Sequence, residues 1–148
     1  MKNSILVSMN DSVTSRAALD FLARMAFCPD DCHITLLHLF RKPSASEELM
    51  GKKFTEEQPV RFMTVLQKAK DKLIEFGFSP DNIEIEMVTQ TYATITDGII
   101  DQFKKKHFDM VVIGRKRMYK AEEFVMGDVS VKLVRALEGA AVLVVTSD

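Results

Sequence analysis

The fold of this chain is decided by one stretch of its sequence, FDMVVIGRKRMYKAEEFVMGDVSV, residues 108–131. Its first part, Phe108–Ile113, is a short apolar run rich in β-branched side chains, which is typical of a buried parallel strand. Gly114 ends this strand, a basic loop follows, and Gly127 precedes a segment with helical spacing. Glycines let a ligand approach the backbone, and a helix N-terminus offers unpaired N–H groups. The order strand, glycine, loop, glycine, helix therefore predicts a pocket for a phosphate group.

The composition indicates one ordinary globular domain spanning residues 1–148, with 47% hydrophobic residues and a net charge of −1. Such a charge does not favour nucleic-acid binding. The chain has no apolar run of the length that a signal peptide or a membrane span needs, so we expect a cytoplasmic protein that does not bind membranes. Cys28 and Cys32 match neither a C-x-x-C redox motif nor half of a zinc site, and they are interpreted as two unpaired thiols.

Strands and helices alternate along the chain. Apolar runs predict five strands: Ser4–Met9, His33–Phe40, Asn82–Val88, Phe108–Ile113 and Ala140–Val145. Helical spacing predicts four helices: one capped by Ser12 or Thr14, then Pro59–Phe76, Thr91–His107 and about Asp128–Leu137. This order predicts an α/β fold, a single-domain doubly wound five-stranded parallel sheet with helices on both faces and flavodoxin-like architecture.

Two segments have a particular place in this sheet. Asn82–Val88 alternates between apolar and acidic residues, which indicates a half-exposed strand at a sheet edge. The polar segment Arg41–Glu57 is interpreted as a surface loop. Ligands of doubly wound sheets bind beyond the carboxyl ends of the strands where the strand order reverses. The first and fourth strands are the natural pair there, so the end of the first strand, residues 8–11, should lie beside the loop that begins at Gly114.

Three pieces of the sequence together resemble the universal stress protein family, over essentially the whole chain. They are ILVSMNDSVTSRAALDFLARMA (residues 5–26), ITLLHLF (residues 34–40) and FDMVVIGRKRM with VMGDVSVKLVRALEGAAVLVV (residues 108–118 and 125–145). The family's nucleotide-binding members carry Gly, two residues, Gly, nine residues, Gly, then Ser or Thr. In the same register this chain has Gly114, Arg117 at the second glycine, Gly127, and Asp128 in place of Ser or Thr.

The resemblance implies an adenine-nucleotide site, with ATP or AMP and Mg²⁺ as the cofactors, in an architecture like that of the adenine-nucleotide α-hydrolases. Gly114 and Gly127 would be phosphate-loop residues, and Asp128 and Val129 would open the helix beside the phosphates. The adenosine would lie against Ser8, Met9, Asn10 and the backbone of Leu39. Family members usually have an aspartate where Asn10 stands, which accepts hydrogen bonds from the ribose hydroxyls. An asparagine still accepts through its carbonyl oxygen, so this change is mild. The resemblance, like the uncharged last strand, points to a homodimer through Ala140–Val145.

Two departures from the family's motif alter the predicted anion site. Arg117 has a Cβ, so a position that needs positive φ would carry strain of about 1 kcal/mol, although its guanidinium could contact a phosphate instead. Asp128 would cap the helix with its own carboxylate and repel a bound anion. At about 4 Å and an effective dielectric constant of about 20, that repulsion is roughly 4 kcal/mol. This would cancel much of a micromolar binding energy, which is about 8 kcal/mol. Arg115, Lys116 and Arg117 would offset part of the repulsion if they point inward, and would offset none of it if they form a solvated loop tip.

Three functions remain from the sequence. The chain is a stress-response homodimer whose adenine-nucleotide binding is impaired or altered, or a regulatory protein that still binds ATP or AMP, or a slow ATPase. Arg117 and Asp128 favour the first of these over the second. No nucleophile is paired with an evident base and no metal-ligand spacing occurs among the histidines, so the expectation is that the protein is not an enzyme and holds no metal of its own.

Overall fold

The computed structural model describes residues 2–10, 12–25, 28–41, 49, 51–116 and 129–147. The strands are β1 (Asn3–Ser8), β2 (Cys32–Arg41), β3 (Ile83–Tyr92), β4 (Met110–Lys116) and β5 (Ala141–Ser147). The helices are α1 (Val13–Arg24), α2 (Lys52–Glu75), α3 (Ile95–Lys105) and α4 (Val129–Ala136), and single 3₁₀ turns, Pro29–Asp31 and Pro80–Asn82, precede β2 and β3.

All strand pairs are parallel, and the strand order is β3-β2-β1-β4-β5. The predicted α/β fold with a doubly wound five-stranded parallel sheet is confirmed. β3 lies at one edge, as its alternating sequence predicts, and β5 lies at the other. The strand order reverses between β1 and β4, which are direct neighbours through Ile5–Val7 and Met110–Val112. The predicted switch point is therefore confirmed as well.

Two apolar clusters cover the two faces of the sheet. Ile5 and Val7 of β1 pack with α1 and α2 on one face, whereas Leu6 packs with α3 and α4 on the other. Successive residues of a strand point to opposite faces, so each central strand contributes to both clusters and is apolar almost throughout. This alternation also decides which residues at the end of β1 can reach a given site.

The ends of α1 and α2 follow local capping rules. Ser12 caps α1, because its hydroxyl accepts a hydrogen bond from the backbone N–H of Ser15 at 3.2 Å. α2 ends before Gly77, which has φ of 102°. The N–H of Gly77 donates to Ile74 O and that of Phe78 to Leu73 O, which is the Schellman arrangement. The predicted cap and the predicted glycine stop are both present.

Several predicted boundaries are wrong. α2 begins at Lys52, inside the predicted loop Arg41–Glu57, and continues through Pro59, which the sequence interpretation placed at its first turn. An interior proline removes one N–H donor and crowds the carbonyl group four residues before it, but α2 continues through Pro59. The remainder of that loop, apart from Arg41, Leu49 and Gly51, lies outside the described residues.

The third helix and the fourth strand also differ from their predicted limits. β3 continues to Tyr92 and α3 begins at Ile95. Residues 91–94 are therefore not helical, whereas the sequence predicted that the helix would begin at Thr91. The cap is Thr94, whose hydroxyl accepts from the N–H of Asp97 at 3.1 Å. β4 continues to Lys116, and Gly114 lies inside the strand instead of ending it.

Candidate functional site at the switch point

A cavity of about 280 Å³ opens at the switch point, beyond the carboxyl ends of β1 and β4. Its polar wall comes from β1, from the start of α1 and from α4, and its apolar wall comes from α3 and β4. The lining residues are Ser8, Asn10, Thr14, Ser15, Ile95, Ile99, Ile113, Gly114, Arg115, Val129 and Ser130. This is the place where doubly wound sheets bind ligands.

The structure brings together four of the nine predicted site residues: Ser8, Asn10, Gly114 and Val129. Met9 and Leu39 do not line this cavity. The side chain of Met9 belongs to the cluster under α1 and α2, on the opposite face from Ser8. Arg117, Gly127 and Asp128 lie outside the described residues. That the grouped residues bind a ligand stays a prediction.

Leu39 has a structural role that the sequence did not reveal. Its side chain packs against α3 at Gly98, where an added Cβ would lie 2.8 Å from Leu39 Cδ1. Leu39 therefore holds α3 close to the sheet, and α3 supplies the apolar wall of the cavity through Ile95 and Ile99. The predicted contact of its backbone with a ligand remains a prediction.

Asn10 is held rigidly at the mouth of the cavity. Its Oδ1 accepts a hydrogen bond from the N–H of Ser12 at 2.9 Å, which forms an Asx turn. Its backbone N–H donates to Ser15 Oγ at 3.1 Å, and Ser15 Oγ donates to the carbonyl of Asn10 at 2.9 Å. One lone pair of Oδ1 is thus already used. The side chain can present its two amide donors to a ligand, in contrast to the acceptor oxygens of an aspartate.

Gly114 is required by the packing of α1 against β4. A Cβ at this position would overlap the carbonyl group of Thr14 and lie 2.9 Å from Ser15 N. Its φ is not positive. The space beside the Gly114 backbone that a phosphate group would need is therefore occupied, on the side of its missing Cβ, by the first turn of α1. Helix-to-strand contact is therefore one structural reason for a glycine at this position, and the role of Gly114 in a phosphate loop stays a prediction.

His38 fastens the end of β1 to β2. It is 5% exposed, its Nδ1–H donates to the carbonyl of Met9 at 2.8 Å, and its ring stacks on Phe62 with 3.8 Å between centroids. Burial lowers the pKa of His38, and the hydrogen bond to Met9 opposes that effect in part. His38 is thus a buried histidine whose Nδ1–H has a hydrogen-bond partner. Together with the bond from Met9 N to Leu37 O at 2.8 Å, it fixes the backbone from which Asn10 projects.

Several cavity residues were not predicted as site residues. Thr14 and Ser15 belong to the first turn of α1. Their position could have been inferred from Ser12, because the helix that it caps begins directly beside the end of β1. Ile95 and Ile99 were predicted only as the apolar face of a helix. Arg115 belongs to the basic loop that the sequence places after Gly114, whereas Ser130 follows Val129 and had no signal of its own.

Within residues 2–116 and 129–147, as far as these are described, no three His, Cys, Asp or Glu side chains come together as a metal site requires. In that same part of the chain no helix has both the length and the apolar character needed to cross a bilayer. The chemistry available at the cavity is therefore hydrogen bonding from Asn10 and hydroxyl groups, apolar contact with α3, and the positive charge of Arg115.

A parallel α/β sheet whose strand order reverses beside a cavity places the chain in the class of doubly wound α/β proteins. The sequence profile of the Universal stress protein family matches residues 1–146, and the chain belongs to that family. A search of curated protein sequences gives no match.

Solved structures with the same fold include a universal stress protein in complex with cAMP, with a TM-score of 0.71 and 15% identity over 99% of this chain and 98% of that one. A universal stress protein family protein of Arabidopsis thaliana with AMP bound has a TM-score of 0.68 and 18% identity, over 99% and 92% of the two chains. UspA of Lactobacillus plantarum has a TM-score of 0.69 and 16% identity, over 97% of each.

Proposed function

We propose that this protein is a cytoplasmic, non-catalytic universal stress protein that acts in the stress response and whose adenine-nucleotide binding is impaired or altered. The observation that carries the proposal is the state of Asn10. One of the two lone pairs of Oδ1, the side-chain oxygen that would accept a ribose hydroxyl, is already used by the N–H of Ser12. The switch-point cavity supports a family-type binding site, and the chemistry of its polar wall supports a change in what that site accepts.

The polarity of Asn10 makes the change specific. In the same turn a carboxylate would still have its second oxygen free to accept ribose hydroxyls, whereas Asn10 has one remaining lone pair of Oδ1 and two N–H donors. Losing a hydrogen bond between a charged acceptor and a ligand hydroxyl costs about 1.5–3 kcal/mol, or roughly 10- to 150-fold in affinity. In the sequence, Arg117 and Asp128 act in the same direction, because one replaces a loop glycine and the other brings a negative charge to a phosphate site.

Calorimetry tests this proposal directly. The purified protein is denatured and any released adenine nucleotide is measured, and ATP, AMP and cAMP are then titrated with and without Mg²⁺. We expect no co-purified nucleotide and dissociation constants weaker than about 10 μM. The double substitution Arg117→Gly with Asp128→Ser should restore affinity for ATP, and Asn10→Asp should improve binding of every ribonucleotide. Tight binding by the unchanged protein would overturn the proposal.

The second candidate is a regulatory protein that still binds ATP or AMP. It is favoured by the similar structures with AMP and with cAMP, and by a cavity whose volume is near the lower end of the usual range for ligand pockets, about 300–1,000 Å³. The same titration distinguishes the two candidates. Phosphate release measured with bound ATP would separate a slow ATPase from both.

We further propose that the protein is a homodimer through β5. Among the described strands, β5 pairs only with β4, and its apolar residues Ala141–Val145 are exposed or half-buried. An unpaired apolar edge favours association with a second copy of the same strand. Sedimentation velocity should give a dimer, and Ala141→Lys, at an exposed position of β5 outside both apolar clusters, should give a folded monomer. Lys132→Gln on α4 is the control that leaves the dimer intact. A monomeric unchanged protein would refute this proposal.

A further inference from the structure

A second concave surface lies on the opposite face of the sheet, between α1 and α2. α1 packs over β4 and β5, whereas α2 packs over β2 and β3, so the central strand β1 is left beneath the gap between the two helices. A groove of about 440 Å³ opens there. Ser8 and Met9 point to opposite faces, and the groove shares no lining residue with the switch-point cavity.

The floor and walls of this groove are apolar. Met9, which is 3% exposed, lies at the end of β1 and forms the floor. Val13 and Ala17 contribute the wall on α1, and Val65 and Ala69 contribute the wall on α2. The short side chains of Ala17 and Ala69 leave space between the two helices next to the sheet. Val13, at the start of α1, lines the groove and is 63% exposed.

The rim of the groove is positively charged. Lys72 on α2 and Asp20 on α1 pair across it with 2.6 Å between Nζ and Oδ1, which neutralises both charges. Arg16 and Lys68 also line the groove, are exposed, and form no ion pair with any residue that the structure describes. The rim therefore carries two unbalanced positive charges above an apolar trough, in a protein whose net charge is −1.

We propose that this groove binds an unesterified fatty acid, with its aliphatic chain on Met9 and Val13 and its carboxylate at Arg16 and Lys68. An apolar trough with cations on one rim is complementary to a ligand with an apolar body and a single anionic end. The volume lies within the usual range for small-ligand pockets. A nucleotide fits less well, because its sugar hydroxyls would face Met9 and Val65 without hydrogen-bond partners. This site is independent of the proposed nucleotide function.

Titration of sodium decanoate into the full chain by calorimetry, below the micellar concentration of the ligand, tests the proposal. We expect saturable binding with one ligand per chain. Each buried methylene contributes about 0.8 kcal/mol, or up to about 4-fold in affinity, so octanoate should bind up to about 15-fold more weakly. Decanol and decyltrimethylammonium should bind more weakly than decanoate, because they lack the anionic end. Equal affinity for decanoate and decyltrimethylammonium would overturn the proposal.

Charge substitutions locate the carboxylate. The double variant Arg16→Gln with Lys68→Gln should weaken decanoate binding by about 10-fold, since each exposed ion pair contributes up to about 5-fold. The matched control, Lys104→Gln with Lys132→Gln, removes two exposed positive charges from α3 and α4 on the other face and should leave the affinity unchanged. Equal losses in both double variants would show only a general charge effect and would overturn the proposed position.

Filling the groove locates the aliphatic chain. Ala17→Leu should abolish decanoate binding while circular dichroism and the melting temperature show a folded protein. Val13→Phe, at a position that is already largely exposed, serves the same purpose if Ala17→Leu does not fold. In NMR spectra of methyl-labelled protein, decanoate should shift the Met9 and Val13 methyl signals and leave Val129 unchanged. Shifts at Val129 alone would assign the ligand to the switch-point cavity and refute the proposal.

Discussion

Replacing Gly114 by alanine should destabilise the whole domain. The added Cβ would overlap the Thr14 carbonyl group and lie 2.9 Å from Ser15 N, and these backbone atoms cannot rotate away as a side chain can. Overpacking of a well-packed site costs about 1–3 kcal/mol, and a clash with backbone belongs at the upper end. For a domain of about this length, each 1 kcal/mol lowers the melting temperature by about 2–4 °C, so a fall of about 6–12 °C is expected.

Gly77→Ala is the matched control for this measurement. Gly77 has φ of 102°, but an added Cβ there would have no atom within 4 Å. Its cost should be limited to left-handed strain of about 1–2 kcal/mol, or about 2–8 °C. Differential scanning calorimetry and urea unfolding give both values under the same conditions.

The Gly114→Ala variant also separates the two explanations of this glycine. If packing against α1 is the reason for it, stability falls whether or not a nucleotide is present. A variant that melts within about 2 °C of the unchanged protein and loses only nucleotide binding would refute the packing argument. It would then support the phosphate-loop role predicted from the sequence.

Three further predictions concern single side chains. Burial lowers the pKa of His38, so the folded state favours the neutral imidazole. The contribution of His38 to the free energy of unfolding is complete above the unfolded pKa of about 6.5 and is lost as pH falls through the folded pKa. Urea unfolding between about pH 7.5 and 5.5 should therefore show a smaller decrease in stability for His38→Phe than for the unchanged protein. The hydrogen bond from Tyr92, at 2.6 Å, lowers the pKa of Asp101, so Tyr92→Phe should raise that pKa towards its ordinary value in an NMR titration. Ser12→Ala removes the cap that accepts the N–H of Ser15 and should cost about 1 kcal/mol, or about 2–4 °C by calorimetry.

The sheet could be predicted because the pattern of apolar residues in the sequence matches the burial of each strand. The apolar runs of β1, β2 and β4 are buried on both faces, and the alternation of β3 follows from its place at the edge. When strands and helices alternate, right-handed crossovers allow only a few strand orders. The pairing of β1 with β4 follows from that restriction.

Boundaries were harder to predict, because one local signal has several structural causes. Thr91 and Thr94 are equivalent as caps in sequence, and only the pairing of β3 with β2 as far as Tyr92 excludes Thr91. Pro59 suits a first helical turn, yet it lies inside α2, where the loss of one hydrogen bond does not end the helix.

The candidate site was predicted in position but not in detail. The pleat of β1 implies that the side chains of Ser8 and Met9 point to opposite faces of the sheet, so the two side chains do not face the same ligand. The segment Asn10–Ser12 has the residue types of an Asx turn, which is the signal for the occupied Oδ1. The overlap of Gly114 with Thr14 depends on how closely α1 approaches β4, a distance that no local pattern contains.

The central position of β1 has a consequence for the protein as it is made. β1 emerges first, and β2 can pair with one of its edges after about thirty further residues have been added. The other edge must wait for β4, since Ser4 and Asp109, which are bonded in the native fold, are 105 residues apart. At about 5–20 residues per second, that edge stays unpaired for roughly 5–20 s on the ribosome. We expect ribosome-bound chains that stop before residue 110 to be captured by chaperones, and chains that include β4 and β5 to escape them.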